Sequence, residues 1–228
     1  MKRLTVTIAL ALVPAAALAA DAAEWKGFYL GGHLGEGHAD THWQSTATLA
    51  SGDNVDHSTS APVSGFHLGF RGPVARNWLL GVEAAYSWTR FRTFAQSDEL
   101  ARLGAAGRFR ETDIRSTYTV TGQAGYARDR WMAYGKAGVA ASYVYLATLN
   151  ANAGGASSST NGTAWGWTAG GGFEWLLQDR WSVGVEYDHY RVTLKDRTVA
   201  QSVGGTPATY RGFTGTIDAV VARLNYRF

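Results

Sequence analysis

Apolar and polar positions alternate along this chain. From Trp165 to Trp175 the odd positions are Trp, Trp, Ala, Gly, Phe and Trp, while the even ones are Gly166, Thr168, Gly170, Gly172 and Glu174. A period of two marks a β-strand with one apolar face and one small or polar face. The pattern recurs from Trp78 to Trp88, from Ala133 to Tyr145 and over Val183 to Asp188. It also predicts a strand from Ile114 to Tyr126, where Ile114, Tyr118, Val120, Ala124 and Tyr126 share a face opposite Arg115, Thr117, Thr119, Thr121 and Gln123. Phe28 to Gly35, Phe66 to Arg71 and Thr216 to Phe228 complete a set of eight candidate strands.

Alternation alone does not separate a soluble sandwich, apolar face inward, from a membrane barrel, apolar face outward. Aromatic placement does. Trp165 and Trp167 stand at one end of their strand and Trp175 at the other, with Ala169, Gly171 and Phe173 between. Ten strand steps of about 3.3 Å, tilted by about 40°, rise roughly 25 Å, the height of an outer-membrane apolar band flanked by aromatic girdles. An even strand count suits closure into an up-and-down barrel. Short connections at Gly72 to Asn77, Ala127 to Arg130 and Gln178 to Arg180 predict one end. Long segments of about 23, 22, 16 and 19 residues, around Asp53, Glu99, Ser158 and Gly204, predict the other, the periplasmic and extracellular ends respectively. The expected fold is all-β: an eight-stranded antiparallel up-and-down transmembrane β-barrel.

The first residues read as a processing signal. Lys2 and Arg3 precede an apolar run from Leu4 to Val13, and Ala17-Leu18-Ala19 offers a cleavage site. Residues 1–19 are therefore expected to leave as a signal peptide, with 20–228 forming the barrel. The apolar run is shorter than the roughly 20 residues of a spanning helix. Removal takes Lys+Arg from 21 to 19 against 18 acids, so the formal charge of +3 falls to +1. That gives no electrostatic footprint for nucleic acid. Charged residues are 17% of the chain, against about 25% in soluble domains. With no cysteine, disulfides, thiolate metal sites and cysteine nucleophiles are excluded. No further domain is expected after Phe228.

The opening Trp25-Lys-Gly-Phe-Tyr-Leu-Gly-Gly, the Asp-Arg-Trp turns ending at Trp131 and Trp181, and the closing Leu224-Asn-Tyr-Arg-Phe resemble the small outer-membrane β-barrel family of Gram-negative bacteria. The chain is most similar to the porin-family and outer-membrane immunogenic proteins of alphaproteobacteria, and more distantly to OmpA- and OmpX-like barrels. The resemblance implies a location in the outer membrane after periplasmic transit. It also implies that Leu224, Tyr226 and Phe228 form the signal read by the barrel assembly machinery. It implies fold rather than activity, since such barrels host different functions.

Strand parity turns Glu83, Lys136, Glu186 and Arg223 toward the lumen, each five residues from a girdle aromatic: Trp78, Trp131, Trp181 and Phe228. Two acids and two bases at one height, in a lumen that side chains fill, predict a neutralised cluster. Glu186 and Arg223 lie on neighbouring strands. Of six histidines, His33, His38, His42, His57 and His67 fall early in the chain. His38, His42 and His57 are the candidates for weak metal or haem binding, since imidazole suits transition metals; His33 and His67 are expected in the lumen. No cofactor is expected. Nor is catalysis: His189 faces lipid by parity, Arg191 stands where a deacylase-like serine would, and Ser182 is at the opposite interface. Arg90, Arg92, Arg102, Arg108 and Arg110 offer contacts for lipopolysaccharide phosphates, balanced by Asp98, Glu99 and Glu111. The expected role is a monomeric structural barrel that supports envelope integrity and displays surface loops. A narrow ion channel, and a surface adhesin or haem- or metal-binding protein, are the alternatives.

Overall fold

The structure, a computed structural model, describes residues 22–45, 53–96, 108–150, 155–178, 180–199 and 208–228. The expected signal peptide lies outside them. A single turn of 3-10 helix, Ala22–Trp25, leads into nine strands: β1 (Gly27–Ser45), β2 (Asp53–Pro73), β3 (Trp78–Gln96), β4 (Arg108–Arg128), β5 (Trp131–Asn150), β6 (Gly155–Gln178), β7 (Trp181–Leu194), β8 (Arg197–Val199) and β9 (Ala208–Arg227). All pairings are antiparallel: each strand from β1 to β6 pairs with the next in sequence, and β9 pairs with β7, β8 and β1. The three-residue β8 borders β9 just beyond the end of β7, so both fill one position and the closed wall has eight staves. Closure leaves no unpaired edge at membrane depth, where an unsatisfied backbone group costs several kcal/mol.

Register fixes the shape. Hydrogen-bonded partners followed once round the wall run from Phe28 through Phe70, Val82, Gly122, Ala137, Ala169, His189 and Asp218, and return to β1 at His38, ten residues on. A stagger of ten over eight strands sets a tilt of about 40° and a backbone radius of about 8 Å, an interior that side chains fill. The turn between β4 and β5 places Asp129 at φ 52°. A short polar side chain tolerates this left-handed conformation best after glycine.

The strands are longer than the alternation of apolar outward faces predicts. Most of the segments expected as long loops are strand: β1 and β2 pair as far as Ser45 and Asp53, and β5 and β6 as far as Asn150 and Gly155. Toward this loop end the pattern persists with its sign reversed. On β1, Thr41 and Trp43 turn inward and are buried, while His38, Asp40 and His42 turn outward. A β-bulge between Ile114 and Ser116 likewise corrects the expected face of Ile114. The extra residue reverses parity, so Ile114 is buried inside with 0% exposure and Arg115 points out.

Candidate functional site: the barrel interior

Inward side chains stack in layers from the turn end to the loop end. At the turn end, Gly27 at φ 115° redirects the chain so that the helical turn before it caps the opening. Trp25, with 0% exposure, packs into an apolar lid with Leu79, Ala127, Met132 and Leu176. The Arg227 guanidinium lies 5.4 Å from the centre of its ring.

Above the lid, Arg71 from β2 reaches across the lumen to Glu174 from β6. The guanidinium donates from Nη1 to Oε2 at 3.0 Å and from Nη2 to Oε1 at 2.7 Å. Such two-point pairing fixes orientation as well as charge. Arg71 also donates from Nε to Gln123 Oε1 at 3.1 Å and lies 4.2 Å from the Tyr29 ring centre.

The next layer holds Glu83, Lys136, Glu186 and Arg223, the four charged residues that parity turns into the lumen. The structure brings all four together. Arg223 bridges Glu83 and Glu186, and Lys136 Nζ stands 2.8 Å from Glu186 and 3.6 Å from Glu83. Asp188 joins at 3.0 Å from Lys136. Two tyrosines lock the carboxylates: Tyr29 donates to Glu83 at 2.9 Å and Tyr134 to Glu186 at 2.6 Å. Buried Arg71, Lys136, Arg223 and Arg227 balance buried Glu83, Glu174, Glu186 and Asp188. Uncompensated charge at this depth would be costly, whereas a paired and hydrogen-bonded lattice is sustainable.

His33 and His67 cap this layer. Their rings stack with centroids 5.6 Å apart, and the outer nitrogens bond to Ser87 at 3.0 Å and Asn225 at 2.5 Å. Further toward the loop end the interior turns apolar, with Trp43, Phe91, Ile114, Val144, Val192 and Ile217 in one cluster. Some polar groups above it are bonded as well. Trp43 Nε1 donates to Thr112 at 2.8 Å, His57 Nδ1 stands 3.1 Å from the same hydroxyl, and Ser158 bonds Tyr210 at 2.7 Å. Burial pushes the His57 imidazole below its ordinary value, with Asp56 opposing the shift.

The histidine candidates for metal or haem separate. His57 faces inward, whereas His38 and His42 face outward, where His38 contacts Ser60 at 3.0 Å and His42 contacts Asp56 at 2.6 Å. Among the described residues no group of three or more His, Asp or Glu side chains is placed to hold a metal ion. Leu224 and Phe228 are exposed on the outer wall, and the Tyr226 ring packs between Trp181 and Phe228 at 5.0 and 5.3 Å. Arg92 is paired with Glu111 at 2.6 Å; Arg90 is exposed, Arg110 is buried and bonds Thr148, Arg102 lies outside the described residues, and of Arg108 only the backbone is described. Ser182 points inward to Glu174 at 3.2 Å, away from His189.

Residue chemistry alone misses Arg71, Glu174 and Asp188. Parity carried two residues further along β2 and β7 would have added Arg71 after Gly69 and Asp188 after Glu186.

A family profile described as outer membrane protein beta-barrel domain matches residues 5–228. No curated protein sequence matches the chain. Among solved structures, it is similar to the outer membrane protein OprG from Pseudomonas aeruginosa, at 13% identity and TM-score 0.47, covering 89% of this chain and 98% of that one. It is also similar to the attachment invasion locus protein Ail of Yersinia pestis, at 13% identity and TM-score 0.38, covering 86% and 99%. The outer membrane protease OmpT from Escherichia coli matches at 12% identity and TM-score 0.47, covering 89% and 97%.

Proposed function

Because this chain belongs to the outer membrane protein beta-barrel domain family and so resides in the outer membrane, we propose that its role is structural: a closed, plugged barrel that supports envelope integrity and displays its loop end outside the cell. One observation carries this reading. The lumen is filled along its length, by the charged lattice around Arg223 in one half and by the apolar cluster around Trp43 and Phe91 in the other. An ion crossing it would have to break the lattice and then shed water against apolar walls. A non-enzymatic role agrees with this interior, where the charged side chains around Arg223 are paired with one another. The partners proposed are outer-membrane lipids, lipopolysaccharide and the barrel assembly machinery, with the barrel a monomer.

Planar-bilayer recording on the purified, folded protein tests the reading. A silent bilayer, with no steps above baseline, supports a plug; large, stable steps overturn it. A second reading, surface attachment, rests on the length of wall beyond the loop-end girdle: β6 continues ten residues past Trp165, to Gly155. Deleting the connection between β5 and β6 without loss of cell or lipopolysaccharide binding would refute it.

A further inference from the structure

The register places residues of different strands at a common height, because one circuit of the barrel climbs ten residues over eight staves. With Phe28 as the base, Trp88 on β3, Tyr118 on β4 and Trp167 on β6 all come roughly eight residues up, as do Glu36 on β1, His189 on β7 and Asp218 on β9. All six side chains point outward. The first three, exposed by 51%, 53% and 48%, belong to the loop-end aromatic girdle. The other three are polar or charged. The girdle therefore runs round only half of the circumference, and the seam where the first and last strands meet lacks it.

The polar half is organised. Asp218 accepts from Tyr187 at 2.5 Å and contacts His189 Nδ1 at 2.7 Å. One strand on, His38 stands 3.5 Å from Asp40, and Ser58 donates to Asp40. Just above, a hollow of about 200 Å³ is lined by Asp40, His42, Asp56, Ser58, Thr214 and Thr216. The last outward apolar residues below it are Tyr187, Val220, Leu34 and Phe66. They end roughly two to five residues lower than Trp88 and Trp165, or about 5–12 Å at about 2.5 Å of height per tilted residue.

We propose that this face, formed by β7, β9, β1 and β2, seats the headgroups of outer-leaflet lipids, which descend there so that the leaflet is thinner along the seam than across the barrel. In a flat bilayer with an apolar band of about 25 Å, Glu36 would sit about 20 Å above Phe28, about 5 Å below the upper limit of that band. Thinning a leaflet costs only fractions of a kcal/mol per Å, and it places these groups among polar headgroups and water. A second copy of the chain is the less suitable occupant. Glu36, Asp40, Asp56 and Asp218 all face out here, so two such faces brought together would oppose carboxylates in a desolvated contact, whereas among headgroups they stay hydrated. The seat does not depend on whether the lumen conducts.

The chain has no cysteine, so single spin labels can be placed on the folded barrel in vesicles through Glu36→Cys, Tyr118→Cys and Val82→Cys. Collision with a water-soluble nickel chelate, divided by collision with oxygen, reports depth. The expected result is a ratio several-fold higher at position 36 than at 118, despite their common height, with position 82 lowest. Equal ratios at 36 and 118 would overturn the proposal, as would exclusion of both reagents at 36 with spin–spin broadening between copies. In a second experiment, Glu36→Leu, His38→Trp and Asp218→Leu together complete the girdle. Folding yield across phosphatidylcholines of increasing chain length should then peak at chains longer by about two carbons than for the unaltered protein; an unmoved peak counts against the proposal.

Discussion

Replacing Arg223 with methionine removes the centre of the charged lattice while keeping most of the side-chain volume. Arg223 is 3% exposed and is the cation that bridges Glu83 and Glu186. After the change, Lys136 alone faces three carboxylates, at 3.6, 2.8 and 3.0 Å from Glu83, Glu186 and Asp188. Breaking a buried pair by removing one partner costs about 3–5 kcal/mol, because the orphaned charge stays out of water. Much of that cost belongs to the orphaned carboxylate rather than to a lost attraction. The double variant Arg223→Met with Glu83→Gln should therefore be less destabilised than the single one, by about 1–3 kcal/mol. Reversible urea unfolding in short-chain phosphatidylcholine vesicles, followed by tryptophan fluorescence and by the migration of unheated protein on gels, measures both. Exposed Asp56, paired with His42, provides the control: Asp56→Asn should cost no more than about 1 kcal/mol. The reasoning fails if Arg223→Met unfolds within about 0.5 kcal/mol of the unaltered protein, or if adding Glu83→Gln makes matters worse.

Gly166 points inward on β6, where a Cβ would collide with the carbonyl oxygen of Arg191. Gly166→Ala should accordingly lower stability by about 1–3 kcal/mol in the same unfolding assay, against the usual preference for alanine over glycine. His57 is held below its ordinary value by burial, so its contribution is present above the unfolded value of 6.5 and is lost as pH falls through it. Amide protection factors in the loop-end part of β2, corrected for the intrinsic pH dependence of exchange, should fall below about pH 6.5, and His57→Gln should flatten that dependence. Phe228 is 73% exposed, and its backbone N–H donates to the Phe28 carbonyl at 3.0 Å. Phe228→Ser should reduce outer-membrane levels in cells several-fold while leaving in-vitro unfolding almost unchanged; parallel losses in both would make it a packing residue instead of an assembly signal.

Parity and girdle spacing were enough to place Glu83, Lys136, Glu186 and Arg223 at one level, because each could be counted from an aromatic at a strand end. Arg71 had no such reference: β2 closes on Gly72 and Pro73 with no tryptophan beyond. Glu174 could be assigned to the inner face, but pairing it with Arg71 requires knowing that β2 and β6 face each other across the lumen. Only the full register shows this. The loop-end halves of the strands escaped for a different reason. Outward His38, Asp40 and His42 with inward Ala39, Thr41 and Trp43 still alternate, but a search for apolar outward faces takes that reversed pattern for a polar loop. Bulges such as the one at Ile114 to Ser116 further disturb the count.

The reversal of sign along each strand acts as a depth gauge. Below the loop-end girdle, the wall suits hydrocarbon outside and ions inside; above it, the wall suits water outside and a greasy core inside. Sliding the barrel either way along the membrane normal would bring the wrong face against the wrong solvent on several strands together, so its vertical position is encoded many times over. The portion above is a pedestal of paired strands with its own core. On β6 it runs from Trp165 to Gly155, ten further residues of paired strand, or about 25 Å at the same tilt. Any partner met at its summit is engaged well clear of the lipid headgroups.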